Sequence, residues 1–159
     1  MKFSDMNKDF EFLDLNKKKK EIIPYSYKMF CDGGSRNEGA AIGIIVYDKD
    51  DNISLSHYEF IGTGTCNVAE YISLYTGIKL LKEKSIKDVN IFMDSELVVK
   101  QMNKVWKCHS DHIVRMNKMT LSLLNGMKWT ISWIPREKNK EADSLVNLAF
   151  KERKQYENN

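Results

Sequence analysis

The stretch YSYKMFCDGGSRNEGAAIGIIVYDKDDNISLSHYEFI, residues 25–61, decides the fold class. Tyr25, Tyr27, Met29 and Cys31 alternate along one face of a strand, and Asp32-Gly33-Gly34 reads as the turn that ends it. Asp32 is therefore expected at a strand's end, with Gly33 and Gly34 allowing a tight turn and a close backbone approach to a ligand. Ala40 to Tyr47 is a nearly continuous apolar run, and the acidic turn Asp48 to Asn52 leads to a third strand, Ile53 to Ile61. Short connections among the three strands make an antiparallel meander.

Beyond the meander the period changes. Val68, Ile72, Tyr75, Ile78 and Leu81 recur at three and four residues, which predicts an amphipathic helix over roughly 67–84. Val89 to Met93 reads as a buried strand that delivers Asp94 at its end, just before the helical spacing of Leu97, Val98, Gln101 and Met102. A longer helix follows Ser110-Asp111 with Ile113, Met116, Met119, Leu123 and Leu124, and stops at Asn125-Gly126. Lys128 to Ile134 forms a fifth strand with Trp129, Ile131 and Trp133 on one face, where core packing is expected of both tryptophans. Met102, Met116, Met119 and Met127 are expected to fill the core. A last helix runs from about Asn139 through Ala149. The order predicts an α/β protein with a five-stranded mixed sheet flanked by helices, whose crossover-connected strands run parallel to their neighbours.

The chain has 159 residues, 42% of them hydrophobic and 30% charged, which fits one soluble globular domain and excludes collagen-like and wholly disordered classes. We divide it into a charged extension (1–24) carrying Lys17 to Lys20, a main folded domain (25–150) and a polar tail (151–159). The extension reads as a solvated tail or as a tether for a phosphate backbone. No apolar run is long enough to span a membrane, and three cysteines without a metal-binding spacing suit a reducing, cytoplasmic setting. A net charge of +3 says little about partners.

Four acids stand at strand ends or helix starts: Asp32, Glu70, Asp94 and Asp143. If strands one and four are adjacent and parallel, Asp32 and Asp94 lie side by side at the carboxyl edge of the sheet, the usual ligand crevice. Each acid alone also suits a cap or a solvated position, and Asp94 before Ser95 suits a helix N-cap. As a set without converging Cys or His they favour a hard cation, Mg²⁺ or Mn²⁺. Two such ions about 4 Å apart serve phosphodiester hydrolysis. No GxSxG, phosphate-loop or dinucleotide motif is present, and His109 with His112 reads as a solvated helix start.

These residues and their contexts resemble type 1 ribonuclease H: Cys31-Asp32-Gly33-Gly34-Ser35 with Gly39 and Gly43, Thr65-Cys66-Asn67-Val68-Ala69-Glu70, Met93-Asp94-Ser95, and Trp133 to Asp143. The resemblance covers about residues 28–150. It implies the ribonuclease H fold and endonucleolytic cleavage of the RNA strand of RNA-DNA hybrids, leaving 5′-phosphate and 3′-hydroxyl ends. It implies that Asp32, Glu70, Asp94 and Asp143 bind two Mg²⁺, with Mn²⁺ as substitute, and that Glu70 also touches the 2′-hydroxyl beside the scissile phosphate. By the same matching Gly33, Asn37 and Asn67 meet the hybrid and Thr65 holds a DNA phosphate. The loop before the last acid has Arg136, expected to contact substrate, where many members have a histidine, which is similar to the archaeal branch. A monomer is expected.

Two other classes stay open from sequence alone. One is a ribonuclease H-like module that binds nucleic acid or protein without cutting; the other is a different metal nuclease on the same fold. Double-stranded RNA also stays open as a substrate beside the hybrid.

Overall fold

In the computed structural model the described residues are 26–158. The extension 1–24 with its Lys17 to Lys20 block, and Tyr25, lie outside them. The strands are β1 (Lys28–Arg36), β2 (Gly39–Tyr47), β3 (Ile53–Gly62), β4 (Asp88–Met93) and β5 (Lys128–Trp133). They form one sheet in the order β3-β2-β1-β4-β5. β1 pairs antiparallel with β2, and β2 with β3, whereas β4 is parallel to both β1 and β5. This is the expected mixed sheet. The helices are α1 (Cys66–Glu83), α2 (Glu96–Met102), α3 (Asp111–Leu123) and α4 (Lys140–Glu157), with a 3₁₀ turn at Arg136–Lys138.

β2 is apolar along its length because both of its faces are covered. Ile42, Ile44 and Val46 join Met29, Cys31, Leu74 and Ile78 in the core under α1. On the other face Ala41 packs with Val146, Ala149 and Phe150 of α4. Alternation along β1 then puts Met29, Cys31 and Gly33 toward α1, and Phe30, Asp32 and Gly34 toward the α4 face.

The Asp32-Gly33-Gly34 stretch is not a turn. β1 continues through it, pairing Gly33 with Ile42 and Gly34 with Ala41, and the chain reverses only before Gly39, whose φ is +140°. A side chain on Gly33 would put its Cβ 2.3 Å from the Ala69 carbonyl carbon and 2.5 Å from the Glu70 nitrogen. The glycine therefore serves the contact between strand and helix. A matching stripe on α1, Ala69, Ser73 and Gly77 at four-residue spacing, is buried against the sheet, and a Cβ on Gly77 would meet Met29 Sδ at 2.6 Å. These small residues turn the buried face of α1 away from the expected one. Ile78 and Leu81 are fully buried, but Val68, Ile72 and Tyr75 only partly so.

Three other expectations are corrected. Trp133 is 52% exposed: it ends the edge strand β5 beyond the cover given to Ile131, and its indole N–H donates to the Asp94 carbonyl at 3.2 Å. Met119 is exposed because α3 turns Ile113 and Thr120 inward. The polar stretch after Phe150 is no separate tail but the continuation of α4 to Glu157, where Arg153 and Glu157 pair at 3.0 Å across one turn. Among the described residues no helix is long and apolar enough to cross a membrane.

Candidate active site

The register of the parallel pair β1 and β4 builds the site. Phe30 lies opposite Phe92, so two residues further along each strand Asp32 and Asp94 come level at the carboxyl edge. α1, pressed down over Gly33, brings in Glu70. Oxygens of Asp32, Glu70 and Asp94 lie within 4.8 Å of one another, the one such convergence of metal-binding side chains among the described residues. Asp143, from the first turn of α4, lies close enough to Asp32 to help raise its pKa and sits 3.9 Å from the Arg136 guanidinium. All four acids line a cavity of about 390 Å³. Its rim adds Ser35, Arg36, Cys66 and Arg136, and Val146 and Phe150 form an apolar wall.

Burial and mutual repulsion make these carboxylates reluctant to ionise. Burial, then the charges of Asp94 and Asp143, push Asp32 up to about 8, against the opposing pull of the Gly33 N–H. Burial, then Asp32 and Asp94, push Glu70 up to about 9, with the Gly33 N–H and Arg136 acting the other way. Asp94 is raised by burial but eased by backbone and Asn139 hydrogen bonds and by Arg136. The thiol of Cys66 is raised by burial and by Glu70 and Asp32.

Neighbours fix the acids in place. Ser95, not Asp94, caps α2: its hydroxyl accepts from the Val98 N–H at 3.3 Å, which leaves the Asp94 carboxylate for the cavity. Asn139 is fully buried, and its Nδ2 donates to the Cys31 carbonyl at 3.0 Å. Thr65 caps α1, its hydroxyl accepting from the Val68 N–H at 3.3 Å, and it is exposed. Asn67, in the first turn of α1, and Asn37, between β1 and β2, are also exposed and lie outside the cavity lining. His109 precedes α3 and His112 lies within it, so the two do not share a helix face. Trp106 is half-exposed beneath Lys100, whose ammonium is 4.3 Å from the ring centre.

Ser35, Arg36, Cys66 and Asn139 belong to the site but were not singled out from sequence. Parity along β1 (32, 34, 36) finds Arg36 once the strand is carried through the glycines. The site suits a hard cation: three oxygen donors converge, and Glu70 Oε2 is buried without a hydrogen-bond partner. A cation there would satisfy that oxygen and relieve the repulsion that raises Asp32 and Glu70.

The family described as reverse transcriptase-like matches residues 30–149. The chain is 33% identical over 124 residues to ribonuclease HI of Halobacterium salinarum, covering 76% of this chain and 62% of that protein. It thus spans less than two thirds of that relative's length. Among solved structures, the N-terminal RNase H domain of a Mycobacterium tuberculosis protein superposes with a TM-score of 0.77 at 30% identity, covering 84% of this chain and 99% of that one. LC11-RNase H1, solved in complex with an RNA/DNA hybrid, gives a TM-score of 0.75 at 31% identity, covering 80% and 98%.

Proposed function

Since the chain belongs to the reverse transcriptase-like family and, within it, to the type 1 ribonucleases H, we propose that it is a divalent-cation-dependent endonuclease that hydrolyses the RNA strand of RNA-DNA hybrids. The convergence of Asp32, Glu70 and Asp94 within 4.8 Å carries this reading. A module that only binds gains nothing from three mutually repelling carboxylates set where a phosphate must approach. The hybrid bound to LC11-RNase H1 supports the choice of substrate.

In this reading Asp32 and Asp94 together hold divalent cations, two in number, with Glu70 and Asp143 completing the set. When bound, such ions supply Lewis acidity that makes water nucleophilic at neutral pH and offsets charge on the leaving oxygen. The residues do the rest. The Gly33 N–H favours the charged forms of Asp32 and Glu70, and Asn139 does the same for Asp94. Glu70, carried by α1, meets the 2′-hydroxyl that marks RNA. Arg136, 81% exposed in its side chain, moderates the negative field of the acids from the loop before α4. Thr65, Asn67 and Asn37, exposed on adjoining elements, contact sugar and phosphate, so cutting has little base preference. Attack in line on the phosphorus leaves a 3′-hydroxyl and a 5′-phosphate.

The test is gel-resolved cleavage of end-labelled RNA-DNA hybrid, double-stranded RNA and double-stranded DNA in Mg²⁺ or Mn²⁺, with wild type beside Asp94→Asn. Metal-dependent cutting of the hybrid's RNA strand, lost in the variant, is expected. Binding without cutting in either metal would overturn the assignment, and faster cutting of double-stranded RNA would move the substrate.

A further inference from the structure

Two guanidinium groups line the carboxylate cavity, and they are differently placed. Arg136 faces a carboxylate, Asp143, at 3.9 Å. Arg36 has no carboxylate partner among the described residues, although it shares a cavity with four acids. Its position is nonetheless defined. The guanidinium carbon lies 4.1 Å from the centre of the Phe150 ring, and one nitrogen donates to Asn147 Oδ1. Phe150 is itself 1% exposed and braced edge-on by Phe60, with centroids 6.1 Å apart. Arg36 is thus an exposed cation on a rigid platform.

Stacking on a ring uses the face of a guanidinium and leaves its edge, where all five N–H groups lie, for acceptors in its plane. Asn147 takes one of those donors. The remaining fork suits two oxygens of one anion, the geometry of a phosphodiester. Asp32 and Arg36 stand four residues apart on β1, about 13 Å of extended chain, with side chains on the same face. An anion at Arg36 therefore lies along the path of a strand whose phosphate is held at Asp32.

We propose that Arg36 binds a backbone phosphate of the substrate strand, flanking the scissile phosphate, and so sets the register of the strand over the carboxylates. The inference rests on the nuclease reading above. Arg36 is a positioning residue: it touches substrate away from the reacting atoms. The alternative, that it merely shields Phe150 from water, predicts no dependence on any particular phosphate.

The experiment uses the full chain and hybrids with a single uncharged methylphosphonate linkage moved along the RNA strand. Binding is read by fluorescence anisotropy with Ca²⁺ in place of Mg²⁺, and cleavage is read separately in Mg²⁺. Arg36→Gln keeps a polar arm without charge, and Arg36→Lys keeps charge without the fork. We expect Arg36→Gln to weaken hybrid binding about tenfold at low salt and to reduce the slope of log affinity against log salt by about one. Arg36→Lys should restore the slope but only part of the affinity. In wild type one linkage flanking the cut should show a methylphosphonate penalty, and that penalty should vanish in Arg36→Gln. The same profile in both proteins, or an unchanged salt slope, would overturn the role of Arg36 even if wild type cuts normally. Loss of the profile at one linkage without any cutting by wild type would keep the phosphate contact and remove the nuclease reading. No hybrid binding at all would remove both.

Discussion

The buried amide of Asn139 donates to the carbonyl of Cys31 at 3.0 Å, joining positions 108 residues apart. It ties the start of α4 to β1 one residue before Asp32, and it also supports the Asp94 carboxylate. Asn139→Ala would leave the Cys31 carbonyl unsatisfied in the core. Urea unfolding should show a loss of about 1–3 kcal/mol, with turnover falling further than the unfolded fraction accounts for. Unchanged stability would mean that water replaces the amide.

The raised carboxylates couple stability to pH. Asp32, at about 8, and Glu70, at about 9, take up protons on folding throughout the range from ordinary carboxylate values to those figures. Their folded values exceed the unfolded ones, so without divalent cation the stability these two groups contribute is fully present in acid, below the unfolded values. It declines as pH rises through the window toward 9. Mg²⁺ should raise Tm much more at pH 8 than at pH 5, where the folded site is already protonated. An equal rise at both would contradict the linkage.

Removing one charge from the cluster separates chemistry from folding. Asp94→Asn and Glu70→Gln should each reduce turnover by about two orders of magnitude or more. Their thermal midpoints without metal should equal or exceed wild type, because less repulsion is buried. A fully active Asp94→Asn protein would sink the site assignment.

Gly33→Ala tests the contact of β1 with α1. The new methyl would sit 2.3 Å from backbone of Ala69 and 2.5 Å from that of Glu70, neither of which is a flexible side-chain end. Strand and helix must part, at about 1–3 kcal/mol or more, and Glu70 moves with the helix. Circular dichroism melting and kcat should fall together, whereas Gly62→Ala, strained by its φ of +82° but with no atom within 4 Å, lowers the melting midpoint and changes kcat little.

Cys66 is exposed at the cavity while Cys31 is buried. Alkylation by iodoacetamide should block activity, and Cys66→Ser should resist it. Because burial and the neighbouring acids hold this thiol above its ordinary value, labelling should be slow at neutral pH and quicken in alkaline buffer. Rapid inactivation of the serine variant would place the sensitive thiol elsewhere.

Much of the site was readable because strand and helix ends are marked in sequence. Asp94 follows a short apolar run and Asp32 an alternating one, so their meeting needed only parallel pairing. Glycine misled at positions 33 and 34, since the residue that permits a turn also permits a helix to lie against a strand. The buried face of α1 was displaced for a related reason: Ala69, Ser73 and Gly77 pack closely but leave no apolar signal. Trp133 and Met119 look like core by composition, and only the extent of cover over β5 and α3 decides otherwise. Arg36 was hidden because its partners, Asn147 and Phe150, lie more than a hundred residues away.

The latch between α4 and β1 also governs when the site can exist during synthesis. Asp32, Glu70 and Asp94 leave the ribosome first, but Asp94 has its amide support and Cys31 its partner only once the segment holding Asn139 and Asp143 has emerged and docked. Until then the growing chain carries the acids without the arrangement that the proposed nuclease needs, so on that reading hydrolytic capacity arrives with the finished fold.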